Sequence, residues 1–189
     1  VWLDKFTIRN LELVGSANEN AVTLIDVLDQ SVTPMGSRLL RRWLMLPLKD
    51  CSAIEERLDA VAHLQQERTL SEALQASLKQ VGDLERLISK VALGKVTPRD
   101  VLQLRRSLEM TEKVREDLSI TANDSLKIIA DQLNSCQLMR ERINRELDPE
   151  APVMINKGGV IRSGVNAELD DLRAIAFHGK DVLVKIQQR

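Results

Sequence analysis

The chain has 189 residues, 43% hydrophobic, 29% charged and 2% aromatic, with a net charge of −1. That length supports one domain with a sizeable core, or one domain plus an appendage. The charge balance excludes a global basic field for nucleic acid or membrane, and Trp2, Phe6, Trp43 and Phe177 are too few for a base-stacking platform.

Val1 to Leu3 reads as a short strand, and Arg9 to Ala21 as irregular. Thr23 to Gln30 is a short amphipathic helix with Leu24, Val27 and Leu28 inward. Thr33 then caps a helix whose first turn holds Pro34 and which Pro47 stops. Met35, Leu39, Trp43 and Leu46 recur at helical spacing, so this helix is expected to be buried. Ser52 to Glu55 reads as a capping box that opens a helix with Ile54, Leu58, Val61 and Leu64 inward. Leu70, Leu74 and Leu78 mark the next helix. Asp83 caps a helix carrying Leu84, Leu87, Ile88 and Val91, closed by Gly94. Thr97-Pro98 opens a long helix with Val101, Leu104, Leu108, Val114 and Leu118 on one side. Asn123 and Ser135 begin two more, the second ending near Pro149. Val153 to Ile155 and Val160-Ile161 flank Asn156 to Gly159 and read either as a loop or as a small hairpin.

The last helix starts at the cap Asn166. Leu169, Leu172, Ala176, Gly179, Leu183 and Ile186 then follow at alternating spacings of three and four, an unbroken heptad seam. Such a helix either packs on its own domain or pairs, as a long arm, with a helix outside these residues. Val1 at the front and a helical pattern unbroken at Arg189 read as an excerpt from a longer polypeptide. No apolar run reaches membrane-spanning length, no signal-peptide pattern appears, and Cys51 and Cys136 fit free thiols in a reducing cytoplasm.

Sites of chemistry are not legible. A phosphate loop needs Gly-x-x-x-x-Gly-Lys-Ser/Thr, and neither Gly94-Lys95-Val96 nor Gly179-Lys180-Asp181 complies. His63 and His178 have no metal-ligand spacing. The pairs Asp26/Asp29 and Asp170/Asp171 are accounted for by solvation and helix dipoles. Catalytic, metal-binding and cofactor-binding residues are therefore expected to be absent from this stretch. Arg38, Arg41 and Arg42 form the polar face of the Thr33 helix, read either as ion-paired and solvated or as a DNA-contacting face.

Several motifs in order resemble one family. They are Leu3-Asp4 with Thr7-x-Arg9-Asn10-Leu11-Glu12-Leu13, and Leu24-Ile25-Asp26-Val27-Leu28-Asp29 running into Thr33-Pro34-Met35-Gly36-Ser37-Arg38-Leu39-Leu40-Arg41-Arg42-Trp43-Leu44. Further on come Asp83-Leu84-Glu85-Arg86-Leu87, Ala92-Leu93-Gly94-Lys95-Val96-x-Pro98-Arg99-Asp100 and Glu168-Leu169-Asp170-x-Leu172-Arg173. Together they resemble the core and lever portion of the MutS family of DNA mismatch-recognition ATPases. One departure is Val165, where the family commonly has tyrosine.

The resemblance implies an all-α fold, a multi-helix bundle with a long projecting lever helix. It implies an incoming segment from a connector at 1–22, a helical core at 23–150, a loop or small hairpin at 151–165 and a truncated first lever helix at 166–189. The seam would meet a returning lever helix, and this portion would couple ATPase state to a DNA clamp without chemistry of its own. The parent would be a cytoplasmic homodimer that binds mismatched duplex DNA, uses ATP and magnesium and works with MutL. The rival reading is a free-standing helical adaptor that binds partner helices through the Leu169–Ile186 seam.

Overall fold

The computed structural model describes residues 3–18, 20–177 and 179. The order is α1 (Lys5–Asn10), α2 (Leu24–Leu28), α3 (Pro34–Met45), α4 (Cys51–Gln66), α5 (Arg68–Leu78), α6 (Leu84–Ala92), α7 (Pro98–Ser119), α8 (Asp124–Gln132), α9 (Gln137–Glu146) and α10 (Ala167–Phe177). The fold is all-α. Among the described residues there is no strand, only an isolated bridge between Leu147 and Ile161.

Most helix starts are set by the caps written in the sequence. The Thr33 hydroxyl accepts from the Gly36 N–H at 3.0 Å. A Cβ at position 36 would sit 3.0 Å from that hydroxyl oxygen, so glycine keeps the cap close. Thr97 and Asp100 form a reciprocal box: the Asp100 carboxylate accepts from the Thr97 N–H at 3.0 Å, and the Thr97 hydroxyl accepts from the Asp100 N–H at 3.2 Å. Asn123 and Asn166 accept from the N–H groups of Leu126 (3.0 Å) and Leu169 (2.9 Å).

Five local readings are corrected. Asp4, whose carboxylate accepts from the N–H groups of Phe6 and Thr7, opens α1, which ends on Arg9 and Asn10 in the stretch that read as irregular; Val1 and Trp2 lie outside the described residues. Helix α2 is shorter than Thr23 to Gln30, because Asp29 leaves helical geometry with ψ 93°. The cap of α4 is Asp50, not Ser52: its carboxylate accepts from the Ala53 N–H at 3.3 Å and its carbonyl accepts the first helical bond, from Ile54. Helix α9 starts at Gln137 rather than Ser135, because Cys136 takes a left-handed φ of +48°. No hairpin forms at Val153–Ile161. The Ile155–Lys157 segment is a 3-10 turn, and the returning leg pairs with the end of α9 through Asp148 N–H to Val160 O and Arg162 N–H to Glu146 O, both 2.9 Å.

The chain forms two compact units, one from residues up to 95 together with 106–136, the other from 96–105 together with the chain from 137 on. In the first, Leu74, Val114, Leu118, Leu126 and Ala130 make the core, with Ala60, Leu64, Leu70, Leu78 and Leu133 packed around them. Fully buried Ser107 accepts from the Gly82 N–H at 2.9 Å and ties the turn before α6 to α7. In the second, Leu102, Ile143 and Ala151 are buried, with Val101 and Leu147 against them.

The expected inward faces of α2 and α3 are largely uncovered, and that of α4 meets the core only at Leu64. In α2 the buried residue is Ile25, while Leu24, Val27 and Leu28 are exposed. Helix α3 buries no residue: Trp43 is 41% exposed, and Leu39 and Leu46 are each 45% exposed. In α4, Ala60 and Leu64 touch the core, and Leu58 and Val61 face out. Apolar spacing identifies residues that share a stripe, but the stripe is buried only where another element covers it.

Candidate functional site

The three arginines of α3 have different surroundings. Arg38 is ion-paired. Its Nη1 and Nη2 donate to the Asp83 carboxylate at 2.9 and 2.7 Å, and its Nε donates to Glu85 at 2.9 Å. Planar guanidinium and carboxylate match in this two-bond geometry. The bonds from Arg38 hold the Asp83 carboxyl below the usual carboxylate range, and Asp83 and then Glu85 push the Arg38 guanidinium further up. Asp83 also caps α6 by accepting from the Arg86 N–H at 3.2 Å. Arg41 donates to the Val14 carbonyl at 3.2 Å, and Arg42 is exposed.

The acidic residues before α3 hold its approach. Asp26 accepts from the N–H and hydroxyl of Thr23 at 2.9 and 2.6 Å, and these bonds lower its pKa. Asp29 accepts from the Ser37 hydroxyl and from the Ser31 N–H, which lower its own. Each of these carboxylates therefore has a structural hydrogen-bond role. Sequence reasoning missed the partners Asp83, Glu85 and Ser37. The only signal for Asp83 was its place as a helix cap.

The seam begins on α10. Leu169 is half-buried, whereas Leu172 is 58% exposed and Ala176 is exposed; Gly179 is helical and half-buried. Leu183 and Ile186 lie outside the described residues. Ile175, beside the seam, is also exposed. The base of α10 is tied down. The Asp170 carboxylate accepts from the Gly164 N–H at 2.6 Å and from Arg173 at 3.2 Å, and Arg173 also donates to the Ile161 carbonyl at 2.8 Å.

Gly94-Lys95 does not build a phosphate cradle. Gly94 (φ +64°) and Lys95 donate their N–H groups back to the carbonyls of Val91 and Lys90, closing the C-terminal end of α6. A helix presents donors to an anion at its other end. His63 has a hydroxyl partner: its Nε2 lies 2.9 Å from the Thr121 hydroxyl. Since that hydroxyl oxygen already accepts from the Asn123 N–H at 2.9 Å, its proton is free to point at His63. His178 lies outside the described residues. Among the described residues no group of His, Cys, Asp and Glu side chains has metal-holding geometry.

A family model for MutS domain III matches residues 6–188. Over all 189 residues the chain is 51% identical to the DNA mismatch repair protein MutS of Parabacteroides distasonis. It is 52% identical to that of Christiangramia forsetii and 49% identical to that of Phocaeicola vulgatus. Each comparison covers the whole chain and 22% of the relative, so the chain spans about a fifth of the length of the curated relatives it matches. An all-α architecture, a family model that matches residues 6–188 and about half-identity over the whole chain agree on one assignment: the chain belongs to the MutS domain III family.

Proposed function

We propose that this chain is the core and first lever helix of a mismatch-recognition ATPase, and that its work is mechanical. The parent binds mismatched duplex DNA as a homodimer, hydrolyses ATP with magnesium in another domain and acts with MutL. This portion carries no chemistry. It anchors an arm whose seam packs against a returning helix, so that nucleotide state at one end biases clamp geometry at the other. Coupling of this kind is a free-energy difference between two global states, typically about 1–3 kcal/mol.

The observation that supports this reading is the contrast along α10. Asp170 and Arg173 fasten its base to the loop before it, while Leu172 and Ile175 stand exposed on the same helix. A fixed base with an uncovered apolar stripe suits an arm that packs elsewhere. The test is Leu183→Asp in the intact parent. It should leave ATP hydrolysis chemically competent and impair ATP-driven conversion to a sliding clamp on end-blocked mismatched DNA. Unchanged conversion in a folded variant contradicts the lever reading.

A further inference from the structure

Between α3 and α4 lies a groove of about 330 Å³ lined by Trp43, Pro47, Leu48, Ile54, Arg57 and Leu58. Five of the six are apolar, and Trp43 and Leu58 are 41% and 60% exposed. The volume is at the small end for a ligand pocket and suits inserted side chains. Its single charged wall residue is unusual. The Arg57 guanidinium carbon lies 3.7 Å from the centroid of the Trp43 ring, so one face of the cation is stacked on the indole. Stacking leaves the in-plane N–H donors directed outward, and no described carboxylate pairs with them.

Arg38, on the same helix as Trp43, provides the contrast. Four of its five N–H donors are taken up by Asp83 and Glu85. Arg57 has its stacking partner in place and lacks the acceptor. Pinned on the ring, the guanidinium loses less rotamer freedom when a carboxylate arrives, which favours a two-bond ion pair. The groove thus combines apolar walls with one pre-oriented cation.

We propose that this groove seats an apolar segment bearing a carboxylate, supplied by the parent polypeptide from outside these 189 residues. Charge complementarity selects the carboxylate. The relatives' length indicates the source: the chain covers 22% of each of them, so most of the polypeptide is available at high local concentration. The proposal rests on family membership and not on the lever, because the groove is built by α3, α4 and the segment that joins them.

The test uses the intact parent with the photo-crosslinking residue p-benzoylphenylalanine at position 58, where the native side chain is largely exposed. Position 48 serves as the second site if that variant misfolds. Irradiation, digestion and mass spectrometry should return an intrachain crosslink to a segment outside these residues, carrying Asp or Glu within one helical turn of an apolar residue. Arg57→Glu should then lower the thermal midpoint of the parent, and replacing that carboxylate residue with Arg in the same variant should recover most of the loss. Crosslinks only within these residues, to a second copy, to another protein or to a segment without a carboxylate would overturn the proposal. So would an absence of crosslinks, or strictly additive effects of the two charge changes.

Discussion

Arg38 on α3 and Asp83 at the start of α6, 45 residues apart, meet in a two-bond ion pair in which the carboxylate is also a helix cap. One side chain thus fixes the start of α6 and the position of α3. The two duties separate by substitution. Asn caps almost as well as Asp but carries no charge for Arg38. The urea midpoint should fall from wild type to Asp83→Asn, and further to Asp83→Ala, which loses cap and pair together. Equal midpoints for wild type and Asp83→Ala would show that neither duty matters.

Acid should unfold the first unit early. Asp4, Asp26, Asp29 and Asp83 all titrate below the ordinary Asp value of 3.8, each through hydrogen bonds: from Thr7, Thr23, Ser37 and Arg38 respectively. A carboxyl whose folded pKa is depressed binds protons more readily when unfolded. Its contribution is complete above the unfolded value and is lost as pH falls through the folded one. Stability should therefore hold down to about pH 5 and drop steeply below about pH 4. Asp29→Asn should flatten that drop, which urea titrations between pH 2.5 and 6 would register.

Trp43 should matter less to stability than its size suggests. A fully buried tryptophan truncated to alanine costs about 3–5 kcal/mol. Here the ring is 41% exposed and covered on one face by Arg57, a contact worth about 0.5–1 kcal/mol at an exposed site. In the 189-residue chain, Trp43→Ala should cost about 1–2 kcal/mol, less than the roughly 2–5 kcal/mol of Leu126→Ala in the core. Denaturant midpoints of the two variants give the comparison, and the reverse order would place α3 in the core after all.

Much of the fold was legible because its punctuation is local. Thr33-Pro34, Asp83, Thr97-Pro98, Asn123 and Asn166 each cap a helix through a side chain and an N–H three residues on, and such pairs are visible in sequence. What a stripe packs against is not local. Leu58, Val61 and Leu64 share a face as their spacing says, yet of these only Leu64 meets the core, together with Ala60. A small residue allows closer approach between helices, and periodicity of large side chains overlooks it. The fate of the arginine face was hidden for a related reason. Nothing near Arg38 in the chain announces Asp83 and Glu85. Nor is there a local signal for the two compact units, since Leu104 and Leu108 step across the 105/106 boundary within α7 at ordinary helical spacing.

The lever claim is tested most directly at Leu172, where a described, 58% exposed side chain can be changed without disturbing the core of either unit. In the intact parent, Leu172→Asp and the apolar control Leu172→Met should fold with similar thermal midpoints and bind mismatched DNA comparably before ATP is added. The measurement is the rate of ATP-driven conversion to a sliding clamp on end-blocked mismatched DNA. Conversion should be near-normal for Leu172→Met and at least tenfold slower for Leu172→Asp, a rise of about 1.4 kcal/mol in the conversion barrier. Equal rates for the two folded variants would contradict the lever claim.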